Sequence, residues 1–378
     1  MDFDLTDAQR MIRDMAREFA EHEVKPVAAE IDRTDEFPWK LFHRMGELGL
    51  LGMTLPEEYE GSGADTVSWS LVEEELARAS AAVADAQLLS KLIGDMILRN
   101  GTDVQRRKYL PPLARGEKIC AIAQTEPGAG SDVASLQTTA RREREGYVLN
   151  GTKRFITAAG VCHMAIVVAT VDCTKGHRGI TLFLVEDGTP GFLRGSKDSL
   201  MGVRGLATGE LVLEDCWVPE ENRLGPEGEG FKLGMISLDS GRIGIGSQAL
   251  GLAQAAMEEA IRYARSRVAF GQPIANFQAL QIMIADMSTR IEAARLMLRK
   301  AAFLRDQGRP FSREAAEAKL FASEVLVQVA ADALQIHGAY GYSTEFPIER
   351  IYRDAKLYQI WEGTSQIQRL VIARHLLR

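Results

Sequence analysis

The sequence predicts an α+β fold that is mostly α, with a helical N-terminal part, a β-rich middle and long helices at the C-terminus. Three observations predict it. Apolar residues recur at helical spacing from the N-terminus to about Gly116. Between Lys118 and Val218 short β-rich runs are bounded by Gly and Pro. From Gly228 onward the helical period returns in stretches long enough to build a bundle. The expected domains are 1–117, 118–225 and 226–378, in keeping with a chain of 378 residues, which is too long for one small core.

The elements follow in order. Thr6 and Gln9 have capping-box spacing, and Ile12, Met15, Ala16 and Phe19 share one helix face. Pro26 ends or bends that helix. Trp39–Leu48 and Ser68–Ala79 read as helices, and Leu55–Gly63 as a loop. Ala81–Asn100 is a mostly apolar helix carrying Asp85, Ser90, Lys91 and Asp95; Lys91 is expected on a solvated face. Pro111–Pro112 and Gly116 close the segment. In the middle part, Asn150–Gly151 between Tyr147–Leu149 and Thr152–Thr157 predicts a type I′ hairpin turn. Met164–Val171, Gly179–Glu186 and Glu210–Val218 predict strands. Ile245, Ala249, Leu252, Ala256 and Tyr263 form a helical stripe, and Phe277–Gln307 and Glu314–Ile336 predict long helices split at Gly308-Arg309-Pro310.

Composition excludes several classes. A net charge of −7 with dispersed Lys and Arg gives no nucleic-acid or anionic-membrane signature. No apolar run approaches the ~20 residues of a membrane span. The acidic start MDFDLTDAQR lacks signal-peptide character. Cys120, Cys162, Cys173 and Cys216 form no CxxC pair, and the histidines show no HxH or HExxH spacing, so reduced thiols, a cytoplasmic location and no metal are expected.

Five stretches carry chemistry. In Ile351–Arg374, IYRDAKLYQIWEGTSQIQRLVIAR, Glu362 lies among Tyr358, Ile360 and Trp361. Such apolar surroundings raise a carboxyl's pKa toward that of a general base. Gly363 permits close backbone approach, and Thr364 or Ser365 caps a helix with Ile367, Leu370 and Val371 on its apolar side. The same stretch also reads as a helix start with an exposed acid near its dipole. A strand or loop is expected just before Glu362. Thr125–Asp132, TEPGAGSD, is either a polar turn or a loop whose N–H groups converge on a ligand. It is not a Walker loop, and no GxGxxG joins a strand to a helix. NGTKRFIT places Phe155 and Thr157 on one strand face, fit for packing in a core or against a planar ring. RSRVAFGQ brings Arg267, Phe270 and Gly271 together at a helix end, suited to a phosphate or to a plain Gly stop. QIHGAYG offers a C-cap or a close backbone approach to a ligand.

Together and in this order, TEPGAGSD, the NG-x-K-x-(aromatic)-IT strand, R-x-x-x-F-G, QIHGAYG and IWEGTSQIQRLVIAR resemble the acyl-CoA dehydrogenase family across nearly the whole chain. The resemblance implies an N-terminal helical domain, a middle β-barrel-like domain and a C-terminal four-helix bundle. It implies FAD as cofactor, an acyl-CoA substrate, a homotetramer and an electron-transfer flavoprotein as electron acceptor. Ile122, Ala123, Gln124, Thr125, Gly130 and Ser131 would line the flavin ring, with Ser131 also at the acyl-CoA. Phe155, Ile156 and Thr157 would lie on its other side. Arg267, Phe270 and Gln278, with Gln335, Ile336, His337, Gly338 and Ala339, would reach the cofactor of a neighbouring subunit, and Thr364, Ser365 and Gln366 would contact FAD as well.

Asp239 and Arg242, in LDSGR, and Gly363 would contact substrate. Glu362 would take the α-proton while the β-hydride moves to flavin N5, giving a trans-2-enoyl-CoA. Some relatives carry this acid within the stretch that matches LDSGR; here Gly241 stands in its place, which points to Glu362. The helix 80–100 would line the acyl pocket, and Trp361 would shape it. An oxidase, an enoyl-CoA reductase or a catalytically silent flavoprotein on the same scaffold are the alternatives.

Overall fold

The computed structural model describes residues 4–377. Six helices come first: α1 (Asp7–Phe19), α2 (Ala28–Thr34), α3 (Trp39–Glu47), α4 (Thr66–Ala79), α5 (Ala81–Asn100) and α6 (Asp103–Ala114). The Thr6/Gln9 capping box forms at the start of α1, and the chain bends through π and 3-10 turns around Pro26. Pro111 and Pro112 lie inside the last turns of α6 rather than after it.

The middle strands are β1 (Cys120–Ala123), β2 (Thr139–Glu143), β3 (Gly146–Ile156), β4 (Met164–Thr170), β5 (Ile180–Glu186), β6 (Phe192–Lys197), β7 (Gly209–Pro219) and β8 (Arg223–Leu224). They form one sheet in the order β6-β7-β3-β2-β4-β5-β8, with β1 added beside β4. The barrel-like closure implied by the resemblance is absent among the described residues, because the end strands β6 and β8 do not pair. Instead the sheet folds at a single residue pair, Thr139 with Thr170, and its halves meet face to face. β4 shows why the sequence supports this. Met164, Ile166 and Val168 join the helical core, while Ala165, Val167 and Ala169 join a second core shared with Leu149, Leu211 and Leu213. A strand buried on both faces reads as a continuous apolar run, as Met164–Thr170 does.

Asn150–Gly151 is not a turn. It lies inside β3, where the register to β7 shifts, and Asn150 exchanges hydrogen bonds with Asp215 at 2.9 and 3.1 Å. Gly151 is needed because a Cβ would sit 2.4 Å from Thr138 Oγ1. The tight hairpin lies one strand earlier, at Arg144–Glu145, with Arg144 at φ 52°.

The C-terminal part holds α7 (Gly230–Ser266), a small hairpin of β9 (Val268–Ala269) and β10 (Gln272–Pro273), then α8 (Gln278–Asp306), α9 (Ser312–His337), α10 (Ile348–Ala355) and α11 (Ser365–Leu376). α7 runs ~55 Å and packs against α4, α5, α8 and α9. Its glycines permit that approach: a Cβ on Gly251 would sit 2.1 Å from the Glu74 carbonyl, and one on Gly244 would sit 2.5 Å from Leu88. No helix among the described residues is long and apolar enough to cross a membrane.

Candidate functional site

Glu362 sits on a backbone turn that few side chains adopt. Its φ is 50°, followed by 89° at Gly363. The left-handed conformation costs a non-glycine residue roughly 1–2 kcal/mol, so neighbouring bonds must fix it. Buried Gln368 donates from Nε2 to the carbonyls of Glu362 (3.1 Å) and Gly363 (2.8 Å), and buried Lys319 of α9 donates to the Gly363 carbonyl at 2.8 Å. Thr364 caps α11 by accepting from the Ile367 N–H. Neither the Glu362 nor the Gly363 N–H donates to another described residue. Of the strand or loop expected just before the acid, the loop is found, at Ile360 and Trp361, after the end of α10 and a 3-10 turn, Lys356–Gln359. The stripe expected on α11 is also different: its buried residues are Ser365 and Gln368, and Leu370 is 52% exposed.

Glu362 is half-buried, and one oxygen of its carboxyl is enclosed. Its Oε2 is shut off from solvent and has no hydrogen-bond partner. Burial raises its pKa above the usual value; the charges of Arg242 and Lys319 pull the other way and lose. The carboxyl lies against Gly241 of α7, where a Cβ would stand 2.5 Å from Oε2. Asp239 and Arg242, expected at the substrate, form an ion pair with each other, and Ser312 donates to Asp239 at 2.9 Å. Burial depresses Lys319 to about 8, against the opposing pull of Glu362.

Behind this centre runs a polar network. Tyr358 donates to Gln248 (3.0 Å), Gln248 to Glu73 (2.9 Å), and Trp69 Nε1 lies 3.0 Å from both Glu73 and Gln87. Lys91 is not on a solvated face. Its side chain is fully buried, paired with Asp95 at 2.8 Å and placed over the Trp69 ring, while Arg305 holds the same Asp95 at 2.7 Å. Burying that charge is tolerable because each ion has a partner.

The TEPGAGSD turn is anchored from below. Lys153, fully buried, donates to Glu126 (2.7 Å) and to the carbonyls of Gln124 and Val168. Glu126 also accepts the Gln137 and Thr138 N–H groups; the Lys153 charge, with these bonds, outweighs burial and holds its pKa low. Ile122, Gln124 and Thr125 are half-buried, Ala123 is buried, and Gly130 and Ser131 are exposed. Phe155 and Thr157 do not share a strand face. The register slips after Lys153, Phe155 turns to φ 56° with 59% exposure, Ile156 is buried, and Thr157 lies beyond the end of β3.

A second cluster forms at the far end of α9. Arg267 lies over the Tyr340 ring at 5.7 Å, and Tyr263 stacks on His337 at 4.4 Å. Ile336 and His337 are buried, whereas Gln278, Gln335, Gly338 and Ala339 are exposed. Phe270 is not followed by a helix stop. It tips the β9–β10 hairpin, at φ 53° before Gly271 at φ 80°, and is 95% exposed. The 16 residues from Lys319 to Gln335 span ~24 Å of helix, so one chain does not gather this cluster around Glu362.

Sequence reasoning missed Lys319, Lys153 and Glu126. The signal for Lys153 was a lysine within a strand otherwise built for a core. Lys319 gave none beyond its place in an alanine-rich, core-facing stretch. Among the described residues, no group of three or more His, Cys, Asp or Glu is placed to hold a metal; Cys120, Cys162 and Cys216 are buried free thiols and Cys173 is exposed.

Comparison with known proteins accords with this architecture. Family models for the N-terminal, middle and C-terminal domains of acyl-CoA dehydrogenase match residues 6–117, 121–216 and 228–377. The chain is 45% identical over 381 residues to the short-chain specific acyl-CoA dehydrogenase of Clostridium acetobutylicum, covering 100% of both. It is also 45% identical to the acryloyl-CoA reductase (NADH) of Anaerotignum propionicum, covering 100% of this chain and 96% of the relative. A chain solved in work on the electron-transferring flavoprotein of Acidaminococcus fermentans superposes with a TM-score of 0.98 at 46% identity, with 100% of each covered. PigA with FAD and proline superposes at 0.96 and 30% identity, over 100% of this chain and 99% of that one. The three domain matches and the full-length relatives place this chain in the acyl-CoA dehydrogenase family, as an oxidoreductase.

Proposed function

We propose that the protein catalyses α,β-dehydrogenation of a short acyl-CoA, with Glu362 as the base for the α-proton. The observation that carries this reading is the unpartnered Glu362 carboxyl, its Oε2 shut off from solvent, on a turn whose N–H groups are unspent. A thioester carbonyl seated on the Glu362 N–H is polarised where negative charge develops. The neighbouring carboxylate, its basicity raised by burial, then removes the proton made acidic by that carbonyl. Gln368 and Lys319 keep the base loop in this strained form.

FAD fits the residues present. A Cβ on Gly128, Gly130, Gly271 or Gly338 would meet nothing within 4 Å, so the turn 125–131, the hairpin tip and the end of α9 leave room for a ligand to approach backbone. Ile122–Ser131, Phe155–Thr157 and Thr364–Gln366 would hold the ring end of one FAD, and Arg267, Phe270, Gln278 and Gln335–Ala339 the phosphate and adenosine end of a neighbouring subunit's FAD. When bound, FAD supplies the acceptor for the β-hydride. An electron-transfer flavoprotein is the proposed final acceptor, supported by the likeness to the Acidaminococcus chain.

The test of the activity is an anaerobic titration of the holoprotein with acyl-CoAs of increasing length. Bleaching of the flavin band by short chains is expected; no bleaching by any acyl-CoA sinks the reading. The kinship to an acryloyl-CoA reductase favours a second reading, reduction of an enoyl-CoA on the same site. Faster oxidation of the reduced protein by enoyl-CoA than reduction by acyl-CoA selects it.

We further propose a homotetramer whose cofactor sites span subunits. The Arg267 cluster lies far along α9 from Glu362, and Ile282, Phe303, Leu370 and Leu376 are exposed apolar residues of α8 and α11. Light scattering should give four times the chain mass. Arg267→Ala should keep that mass yet lose FAD on dialysis, as expected when a phosphate loses its cation. A monomer that retains FAD counts against the proposal.

A further inference from the structure

The helix facing the base carries a second acid that the proposed reaction does not use. Asp85 of α5 is 5% exposed and its carboxyl pairs with no described residue, yet its oxygens are not sealed off as Glu362 Oε2 is, so a small group can reach them. Buried polar groups normally have partners, so one without calls for an explanation. Helical spacing puts Asp85 on the face of Leu88 and Leu92. That face meets α7: the Cβ position of Gly244 lies 2.5 Å from Leu88, and that of Gly241 lies 3.5 Å from Leu92 and 2.5 Å from the Glu362 carboxyl. Leu92 is therefore level with the base, and Asp85 lies two turns away, ~10 Å along the helix. That is the direction in which α7 continues to Gln248, the acceptor of Tyr358. The charge of Glu362 is felt at Asp85; burial and that charge push its carboxyl to about 8, so at neutral pH it is a protonated acid, able to donate and accept. Glu73, Lys91 and Tyr358 surround the same region, and all three already have partners.

We propose that Asp85 selects the acyl chain: it takes the hydrogen-bond donor of an acyl-CoA bearing a hydroxyl or ammonium group beyond the reacting carbons. This rests on the acyl-CoA reading of the Glu362 site. A purely alkyl chain leaves Asp85 buried without a partner, whereas a donor at the right distance satisfies it. Sites built to hydrogen-bond a substrate group discriminate strongly against the analogue that lacks it.

The test uses the holoprotein and ω-hydroxyacyl-CoAs of four, six and eight carbons, each against the alkyl-CoA one carbon longer. 6-Aminohexanoyl-CoA separates ammonium from hydroxyl. For at least one length, kcat/KM should favour the donor-bearing chain by about tenfold or more. Asp85→Leu should reverse the preference, and Asp85→Asn, which keeps the shape, should retain part of it. Calorimetric Kd values for the same ligands should follow the same order. Equal ratios in the parent and both variants, or a parent preference for alkyl chains at every length, overturn the assignment. If no acyl-CoA of either kind bleaches the flavin, the reading of the site fails first and this one with it.

Discussion

Glu362→Gln should leave a folded protein that binds FAD and acyl-CoA but scarcely reduces its flavin. Gln fills the same space on the same strained turn, and the bonds from Gln368 and Lys319 go to backbone carbonyls that the substitution leaves in place. What is lost is the proton acceptor. Removing a general base typically costs ~10²–10⁴-fold, and the upper end is expected here. Asp85 cannot stand in, because it lies two helical turns, ~10 Å along α5, from the level of the base. The parent should also show an acid limb. Only the ionised carboxylate accepts a proton, and burial has raised the Glu362 pKa, so the reduction rate should fall as pH drops through that raised value. The variant should lack this limb. Anaerobic stopped-flow reduction measures both, and a variant rate near the parent's removes Glu362 from the mechanism.

The parts of this site that could be read from sequence are those whose chemistry is local. The Thr6–Gln9 capping box, the Glu362-Gly363-Thr364 turn and the glycine-rich 125–131 turn each state their geometry within a few residues. Asn150–Gly151 misled because local turn preference gave way to the sheet, where Gly151 serves a close contact with Thr138. The supports of the site could not be read. Lys153 meets Glu126 across 27 residues and Lys319 meets Gly363 across 44, and neither partner marks the other in the chain. Lys91 looked solvated although its partner Asp95 stands one turn along the same helix; what buries the pair is the Trp69 ring and Arg305, brought from other helices.

Moving the base across the site should work only if the original side chain is removed. A Cβ on Gly241 would stand 2.5 Å from Glu362 Oε2 and 3.3 Å from its Cδ, so the two side chains claim one volume. Gly241→Ala alone should therefore displace the carboxylate and slow flavin reduction, with folding preserved, since the contact is with the end of a side chain. Gly241→Glu beside an intact Glu362 adds a second buried acid to a clash, and like charges so placed do not both ionise. Even Glu362→Gln with Gly241→Glu should stay inactive, because the Gln amide fills the same space. Glu362→Gly is different: glycine is at ease at φ 50°, and its missing side chain frees the volume. On that background Gly241→Glu brings a carboxylate in from α7, the opposite wall, and should recover about 10–100-fold of the rate lost in Glu362→Gly alone. Stopped-flow rates for the single and double variants give the ordering directly. If the Gln-based pair recovers as well as the Gly-based pair, the two side chains do not share the volume and the placement of the base against α7 is wrong.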